Sequence, residues 1–266
     1  MEEEKSDATI EKYMRDVTAL YVWNEGCVLD KSRLLEYKSV LAKKYAPASI
    51  NSKLSSLNAF FTFIQWHDMK LKTIKIQRRI FTEEVRELSK EEYRRLLEIA
   101  KEKRNKQIFY IMQTVCSTGI RISELQYVTV ESLSVGHTCI IGKGKRRTVF
   151  YPFPLCELLL NYAREQKIKN GSVFITKSRR PINRSNVWGA MKKLCEKAGV
   201  PKEKVFPHNL RHLFARAYYS QYKDIVRLAD ILGHSNINTT RIYTMESGDE
   251  HRKQIQSLEL LSVKTT

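Results

Sequence analysis

The stretch "PHNLRH", residues 207–212, brings a histidine and an arginine to one helical turn. Pro207 suits the first turn of a helix, and the i,i+3 spacing then places His208 and Arg211 on one face. A guanidinium engages two phosphate oxygens and keeps its proton, whereas an imidazole gives or takes a proton near neutral pH. The pair therefore predicts a site for a phosphate group.

A metal site is the competing interpretation, because His208 and His212 are spaced i,i+4 as in zinc-binding H-E-x-x-H helices. Asn209 replaces the glutamate base of that motif, and the charge of Arg211 would repel a cation. We therefore predict no metal and no cofactor. His212 is expected to support the site or to be a satisfied core histidine.

A predicted hairpin turn carries the next candidate, Lys143, between two glycines in "IGKGKRRTVFYP". A lysine on a mobile tip can act as a general acid, or it can simply contact a DNA phosphate. The basic residues that follow it are predicted DNA contacts: Lys145, Arg146 and Arg147.

Two further stretches supply an arginine, a histidine and a tyrosine. Arg121 lies in "STGIRISEL", and alone it would more often be exposed or paired with a carboxylate. His234 precedes Tyr243 by nine residues in "LGHSNINTTRIYTM", where an isolated tyrosine favours a core role.

Together these residues match phosphodiester transfer without a metal, which needs fixed cations, a nucleophile and an acid for the leaving oxygen. In this hypothesis Tyr243 attacks phosphorus, and Lys143 protonates the departing 5′ oxygen. The remaining residues hold the non-bridging oxygens (Arg121 and Arg211) or assist proton transfer and orientation (His208 and His234).

The net charge of the chain also indicates a nucleic-acid partner. The 266 residues include 47 basic and 29 acidic side chains, a formal charge of +18, which favours nucleic acid through counterion release. The acidic, polar N-terminus has no apolar span, so no membrane association is expected. Five scattered cysteines without a C-x-x-C pair favour a reducing compartment, and a cytoplasmic, nucleoid-associated protein is expected.

Hydrophobic periodicity divides the chain into two helical regions. Residues 1–69 predict three helices, the third starting at Pro47, and residues 70–88 predict a basic linker. The linker charges are either solvated or in contact with DNA; the candidates are Lys70, Lys72, Lys75, Arg78 and Arg79.

The second region, residues 89–266, begins with a capping box at Ser89 and Glu92. It predicts mostly helices with one small antiparallel β-sheet, and a short tail helix that packs either on its own domain or on a neighbouring protomer. The basic stretch "TKSRRPINRSNVWGAMKK" is a further predicted DNA surface, with Arg179, Arg180 and Arg184 as contacts.

Four ordered motifs, "STGIRISEL", "IGKGKRRTV", "PHNLRHLFA" and "LGHSNINTTRIYT", resemble the signature of the tyrosine recombinase or phage integrase family, with Xer-like and mobile-element integrases as the nearest relatives. The resemblance implies a C-shaped, two-domain DNA clamp made of a helical, SAM-like core-binding domain and a catalytic domain. It implies the catalytic set Arg121, Lys143, His208, Arg211, His234 and Tyr243, with Glu124 as a structural support.

The same resemblance implies a reaction: cleavage of double-stranded DNA at a specific site through a 3′-phosphotyrosyl link, then strand exchange through a Holliday junction in a homotetramer, without cofactor. Integration, excision and dimer resolution are all compatible with it. Two alternatives stay open, a type IB topoisomerase-like enzyme that relaxes DNA and a catalytically silent DNA-binding accessory protein.

Overall fold

A computed structural model describes residues 6–76, 87–103, 106–142, 145–176, 178–243, 252 and 255–258. The chain splits into two compact units, Met1–Arg79 and Ile80–Thr266. The described part is mainly α-helical with one two-stranded antiparallel sheet, as predicted. None of its helices is long and apolar enough to cross a membrane.

The first unit contains α1 (Asp7–Asn24), α2 (Lys31–Lys44) and α3 (Pro47–Phe63). The start of α2 is fixed by Asp30, whose carboxylate accepts the backbone N–H of Arg33, and α3 begins at Pro47. Leucines and a phenylalanine of the predicted stripes form the core: Leu20, Leu34, Leu41, Leu54, Leu57 and Phe61.

The stretch after α3, predicted to begin the linker, packs on this first unit as far as Ile74. Asn58 donates to the carbonyl of Leu71 and accepts its N–H, both at 2.8 Å. Asn51 makes the same pair of bonds with Ile74. Two asparagine amides thus satisfy an extended backbone as a neighbouring strand would. Lys72 and Lys75 are exposed, Lys70 is half-buried, and Arg78 and Arg79 lie outside the described residues.

The second unit is built on helices, several of them short. Ser89 and Glu92 form the predicted capping box at the start of the first. The helices are α4 (Lys90–Glu102), α5 (Gln107–Thr118), α6 (Val130–Val135), α7 (Phe153–Glu165), α8 (Arg184–Lys192), α9 (Cys195–Ala198), α10 (Pro207–Tyr222) and α11 (Ile225–Leu232).

The hairpin consists of β1 (His137–Gly142) and β2 (Lys145–Phe150), with Gly142 opposite Lys145. Its alternating pattern buries Ile140 and Val149 and leaves the side chains next to them exposed. The predicted acid Lys143 lies between these strands in sequence but outside the described residues.

α5 and α11, which lead to the predicted residues Arg121 and His234, both end at a glycine. α5 ends at Gly119 in the left-handed conformation, φ +65°, where a Cβ atom would lie 2.6 Å from the ring of Phe214 on α10. α11 ends in the same way at Gly233, φ +62°. Glycine is required at both positions because each combines a left-handed backbone with a close neighbour.

We expect Gly119→Ala to lower the free energy of unfolding more than Gly199→Ala. Gly199 also caps a helix with φ +59°, but a Cβ atom there would meet nothing within 4 Å. The control should show only the left-handed penalty of about 1–2 kcal/mol, and Gly119→Ala should add about 1–3 kcal/mol of overpacking. Urea unfolding measures both. Equal losses would mean that Phe214 yields without cost.

Candidate active site

Arg211 lies on the first turns of α10 and is 1% exposed. Its Nη1 donates to the carbonyl of Gly119, which ends α5, and its Nη2 donates to the carbonyl of Leu232, which ends α11. Burial, together with the positive charges of Arg121 and Arg147, lowers the Arg211 pKa to about 10. The guanidinium is therefore charged at neutral pH and held by two helix ends.

His234 follows α11 and touches Arg211 directly. Its Nε2 lies 3.2 Å from Arg211 Nη2, and its Nδ1 lies 2.9 Å from the hydroxyl of Thr240, which is fully buried. Burial, then the charges of Arg211 and Arg121, lower the pKa of His234 to about 4. Because an arginine can only donate, the neutral imidazole accepts at Nε2 and donates its Nδ1–H to the Thr240 hydroxyl, which fixes the orientation of the ring.

Arg121 stands at the start of a 3-10 turn, Ile122–Tyr127, and pairs with Glu124. The Glu124 carboxylate accepts the Arg121 side chain at 2.9 Å and its backbone N–H at 2.8 Å. Although burial raises the pKa of this carboxyl, these bonds and the charge of Arg147 hold it below its ordinary value. Glu124 is thus an ionised carboxylate that bonds to both the side chain and the backbone of Arg121.

Tyr243 is 4% exposed and belongs to a small apolar cluster with Ala215, Leu228 and Leu232. Its ring lies 6.2 Å from that of His234, nearly parallel. Burial raises the pKa of the Tyr243 phenol, and the charge of Arg211 opposes that rise. The tyrosine is both a core residue and a neighbour of the cationic cluster, which combines the two interpretations that its sequence leaves open.

His208 and His212 extend the ring contacts along α10. The two rings are 4.6 Å apart, and His212 meets Tyr243 edge-on at 4.9 Å. Burial lowers the pKa of His212 to about 3, and its buried Nε2 has no hydrogen-bond partner within the described residues. His208 is exposed, yet partial desolvation and the charges of Arg211, Arg184 and Arg121 lower its pKa.

Five of the six residues predicted to be catalytic therefore gather in one place, and the sixth, Lys143, lies outside the described residues. The gathered set carries two guanidiniums and two imidazoles around a phenol. Within the described ranges, no three His, Cys, Asp or Glu side chains lie together as a metal site would require. Fixed positive charge beside a hydroxyl suits an anionic substrate with an attackable centre.

Arg147 differs from its prediction as a DNA contact. Its side chain is 10% exposed, pairs with Glu124 and donates to the carbonyl of Ile231 at 2.6 Å. Because Arg147 lies next to other basic residues, the sequence predicts that its side chain is exposed to solvent. The alternation of side chains along β2 turns it inward instead. Thr240 is a second site neighbour that the sequence did not single out, because its motif "NTTRIYT" offers several hydroxyls without a pattern.

The other predicted DNA contacts are placed more simply. Those that are exposed include Arg146 on β2, Arg179 and Arg180 in the loop before α8, and Arg184 at its first turn. The charge of Arg184 reaches His208, and Arg146 lines a cleft together with Arg121 and His234. Side-chain exposure of Lys145 falls outside the described part.

Comparison with known proteins identifies the family. The model of the phage integrase family matches residues 86–250, more than half of the chain. The chain is 30% identical over 230 residues to tyrosine recombinase XerA of Pyrococcus furiosus, covering 83% of this chain and 77% of that protein.

Solved structures agree with the sequence match. The crystal structure of XerA recombinase is similar with a TM-score of 0.57 and 25% identity, covering 97% of this chain and 94% of that one. A complex of the Tn1549 transposon integrase with transposon right end DNA shares the fold, with a TM-score of 0.73, 18% identity and coverage of 97% and 95%. The chain therefore belongs to the phage integrase family and is a tyrosine recombinase, an enzyme of site-specific DNA recombination.

Proposed function

We propose that Tyr243 is the nucleophile of this recombinase and that Arg121 and Arg211 hold the scissile phosphate. The observation that carries the proposal is the contact series from Arg211 through His234 to Tyr243. Arg211 Nη2 lies 3.2 Å from the imidazole, whose ring lies 6.2 Å from the phenol ring. Arg211 also interacts with the Tyr243 phenol, where it opposes the rise in pKa, so a phosphate bound by the guanidinium would sit within reach of that hydroxyl.

Cleavage then forms one bond and breaks another. The Tyr243 oxygen bonds to phosphorus, and the bond from phosphorus to the 5′ oxygen breaks, leaving a 3′-phosphotyrosyl link and a 5′ hydroxyl. The phenol proton passes to a neighbouring imidazole, of which His234 and His208 are the candidates. Lys143 supplies the proton for the departing oxygen, and Arg121 with Arg211 stabilises the charge on the non-bridging oxygens.

Rejoining reverses these steps with a 5′ hydroxyl from a partner strand. Because the phosphodiester energy stays in the protein–DNA link, no high-energy cofactor is consumed. We propose that two DNA sites and four protomers carry out this exchange through a Holliday junction. The DNA partner is supported by the exposed basic residues near the site, among them Arg146, Arg180 and Arg184, and by the DNA-bound integrase that shares the fold.

We expect Tyr243→Phe to abolish the covalent adduct and to leave DNA affinity within about threefold. The substrate is a duplex nicked beside its target bond, so that the cleaved fragment diffuses away and the adduct accumulates, with EDTA replacing magnesium. Denaturing gels measure the adduct. Tyr222→Phe, an exposed tyrosine on α10, is the control and should react like the wild type.

An adduct formed by Tyr243→Phe would contradict the assignment of the nucleophile. Tight binding without any wild-type adduct would support a silent DNA-binding protein instead. Exchange of flanks between two labelled substrates separates a recombinase from an enzyme that only relaxes DNA.

We expect Arg211→Lys to slow single-turnover cleavage by about 10²–10³-fold at saturating DNA, because one lysine cannot reproduce the forked donors at a developing charge. Arg211→Ala is less informative, since it leaves two buried carbonyls unpaired at a cost of about 1–3 kcal/mol each.

The matched control for that variant is Arg216→Lys on the same helix. Arg216 pairs with Glu87 and the carbonyl of Leu88 and not with the residues proposed to hold the phosphate, although its charge reaches His212. It should lose stability and keep its cleavage rate. If Arg216→Lys slows cleavage as much as Arg211→Lys, loss of packing in α10 explains both.

The proposed mechanism requires neutral imidazoles. The pH dependence of the free energy of unfolding shows whether they are neutral in the free protein. Unfolded histidines take up protons near pH 6.5, but His234 and His212 in the fold do so only near about 4 and about 3. The unfolded state therefore binds more protons in this window, and the free energy of unfolding should fall as pH drops from 6.5 to 4.

His234→Gln should flatten that dependence, whereas His137→Gln, an exposed histidine of the same unit, should leave it unchanged. Urea unfolding at several pH values gives the slopes. Equal slopes for His234→Gln and the wild type would show that His234 is protonated in the fold as readily as in the unfolded chain.

A further inference from the structure

Three consecutive carbonyls at the end of α11 each accept a hydrogen bond from a different arginine. Arg147 donates to Ile231 at 2.6 Å, Arg211 donates to Leu232, and Arg121 donates to Gly233 at 3.3 Å. The last carbonyls of a helix have no partner within the helix and carry the negative end of its dipole. The end of α11 is thus a common anchor for two phosphate-binding candidates and for Arg147.

Among the three, Arg147 is placed to hold neighbouring protein groups and not to bind the substrate. Its side chain is 10% exposed, against 39% for Arg121. One terminal nitrogen of its guanidinium reaches Glu124 and the other the carbonyl of Ile231. Arg211 is buried too, but it donates to carbonyls and meets His234, whereas Arg147 is ion-paired with the Glu124 carboxylate. Its ion pair with Glu124 therefore separates Arg147 from a phosphate-binding arginine.

The pair with Glu124 also sets the charge available at Arg121. Glu124 accepts from both arginines, so two guanidiniums share one carboxylate and a net positive charge remains. Without Arg147, Arg121 and Glu124 would form a neutral pair, and Arg121 would be held more firmly by the carboxylate. Arg147 therefore frees the charge of Arg121 for a phosphate.

Gly233 shows that the segment after α11 is built against this side chain. A Cβ atom at position 233 would lie 2.3 Å from Arg147 Cδ, and the φ of +62° also disfavours any other residue. His234 comes next in the chain, and the segment continues to Tyr243. β2, which carries Arg147, is thereby tied to the segment that carries the imidazole and the phenol.

We propose that Arg147 is a positioning residue for DNA cleavage, which joins β2, Glu124 and the end of α11 and so orients Arg121, His234 and Tyr243. This inference rests on the proposed roles of those three residues. Arg147 contacts no substrate. It acts through the groups that do.

The first test needs no DNA. Amide hydrogen exchange of residues 233–243 is compared in the wild type, Arg147→Gln, Arg147→Lys and Arg164→Gln, all as the full chain. Arg164 is an exposed arginine of α7 and controls for loss of one charge. We expect Arg147→Gln to exchange at least tenfold faster in this segment, Arg147→Lys to recover part of the protection, and Arg164→Gln to match the wild type. Unchanged exchange in Arg147→Gln would overturn the proposal.

The second test uses the nicked duplex at saturating DNA. Arg147→Gln should cleave about 10²-fold more slowly with DNA affinity changed by less than about threefold. In an Arg121→Gln background the same change should cost less than about threefold, because residues that act as a unit have non-additive effects. A full additional loss there, or weaker binding with normal cleavage, would overturn the positioning role.

The two tests separate this inference from the proposed function. Faster exchange at residues 233–243 together with no wild-type adduct would reject the nucleophile assignment while leaving the structural tie of Arg147 in place. A normal wild-type adduct with unaffected exchange would reject Arg147 alone.

Discussion

The buried guanidinium of Arg211 is the contact on which the site depends. It joins the carbonyl that ends α5 to the carbonyl that ends α11, and a third helix, α10, carries it. Leaving these carbonyls without a donor would be costly in a core, so the arginine is required for folding of this region as well as for charge. A cation placed by such a requirement has little freedom to turn away from a substrate.

Burial and the nearby positive charges together set the state of the titratable groups in the cluster. Burial and charge both lower the pKa values of His234 and His212, whereas burial raises the Tyr243 pKa and the arginine charges restrain that rise. Neutral imidazoles leave the guanidiniums as the fixed cations of the cluster. In the proposed mechanism, charge stabilisation and proton transfer are therefore carried by different residues, which suits a reaction that must run in both directions.

Much of the fold follows from local sequence signals. Asp30, Pro47 and the pair Ser89 and Glu92 begin helices where capping chemistry predicts, and Gly119 ends α5. The cluster was predictable because its residues lie in short motifs with helical or turn spacing. Long-range contacts were not predictable, because the asparagines that bind residues 71 and 74 give no local signal in the sequence. Arg147 likewise looks like its basic neighbours until the register of β2 turns it inward.

Burial of Tyr243 links this architecture to the timing of the reaction. A phenol that is 4% exposed, with a raised pKa, is a poor nucleophile, and the residues that counter this are arginines meant for phosphate. The tyrosine belongs to a small cluster on α10 and α11, not to the large core, so releasing it disturbs few apolar contacts. The segment that leads to Tyr243 begins at Gly233, where arginines hold the carbonyls of residues 231–233. Whatever alters the way these arginines are held therefore acts on the segment that carries Tyr243.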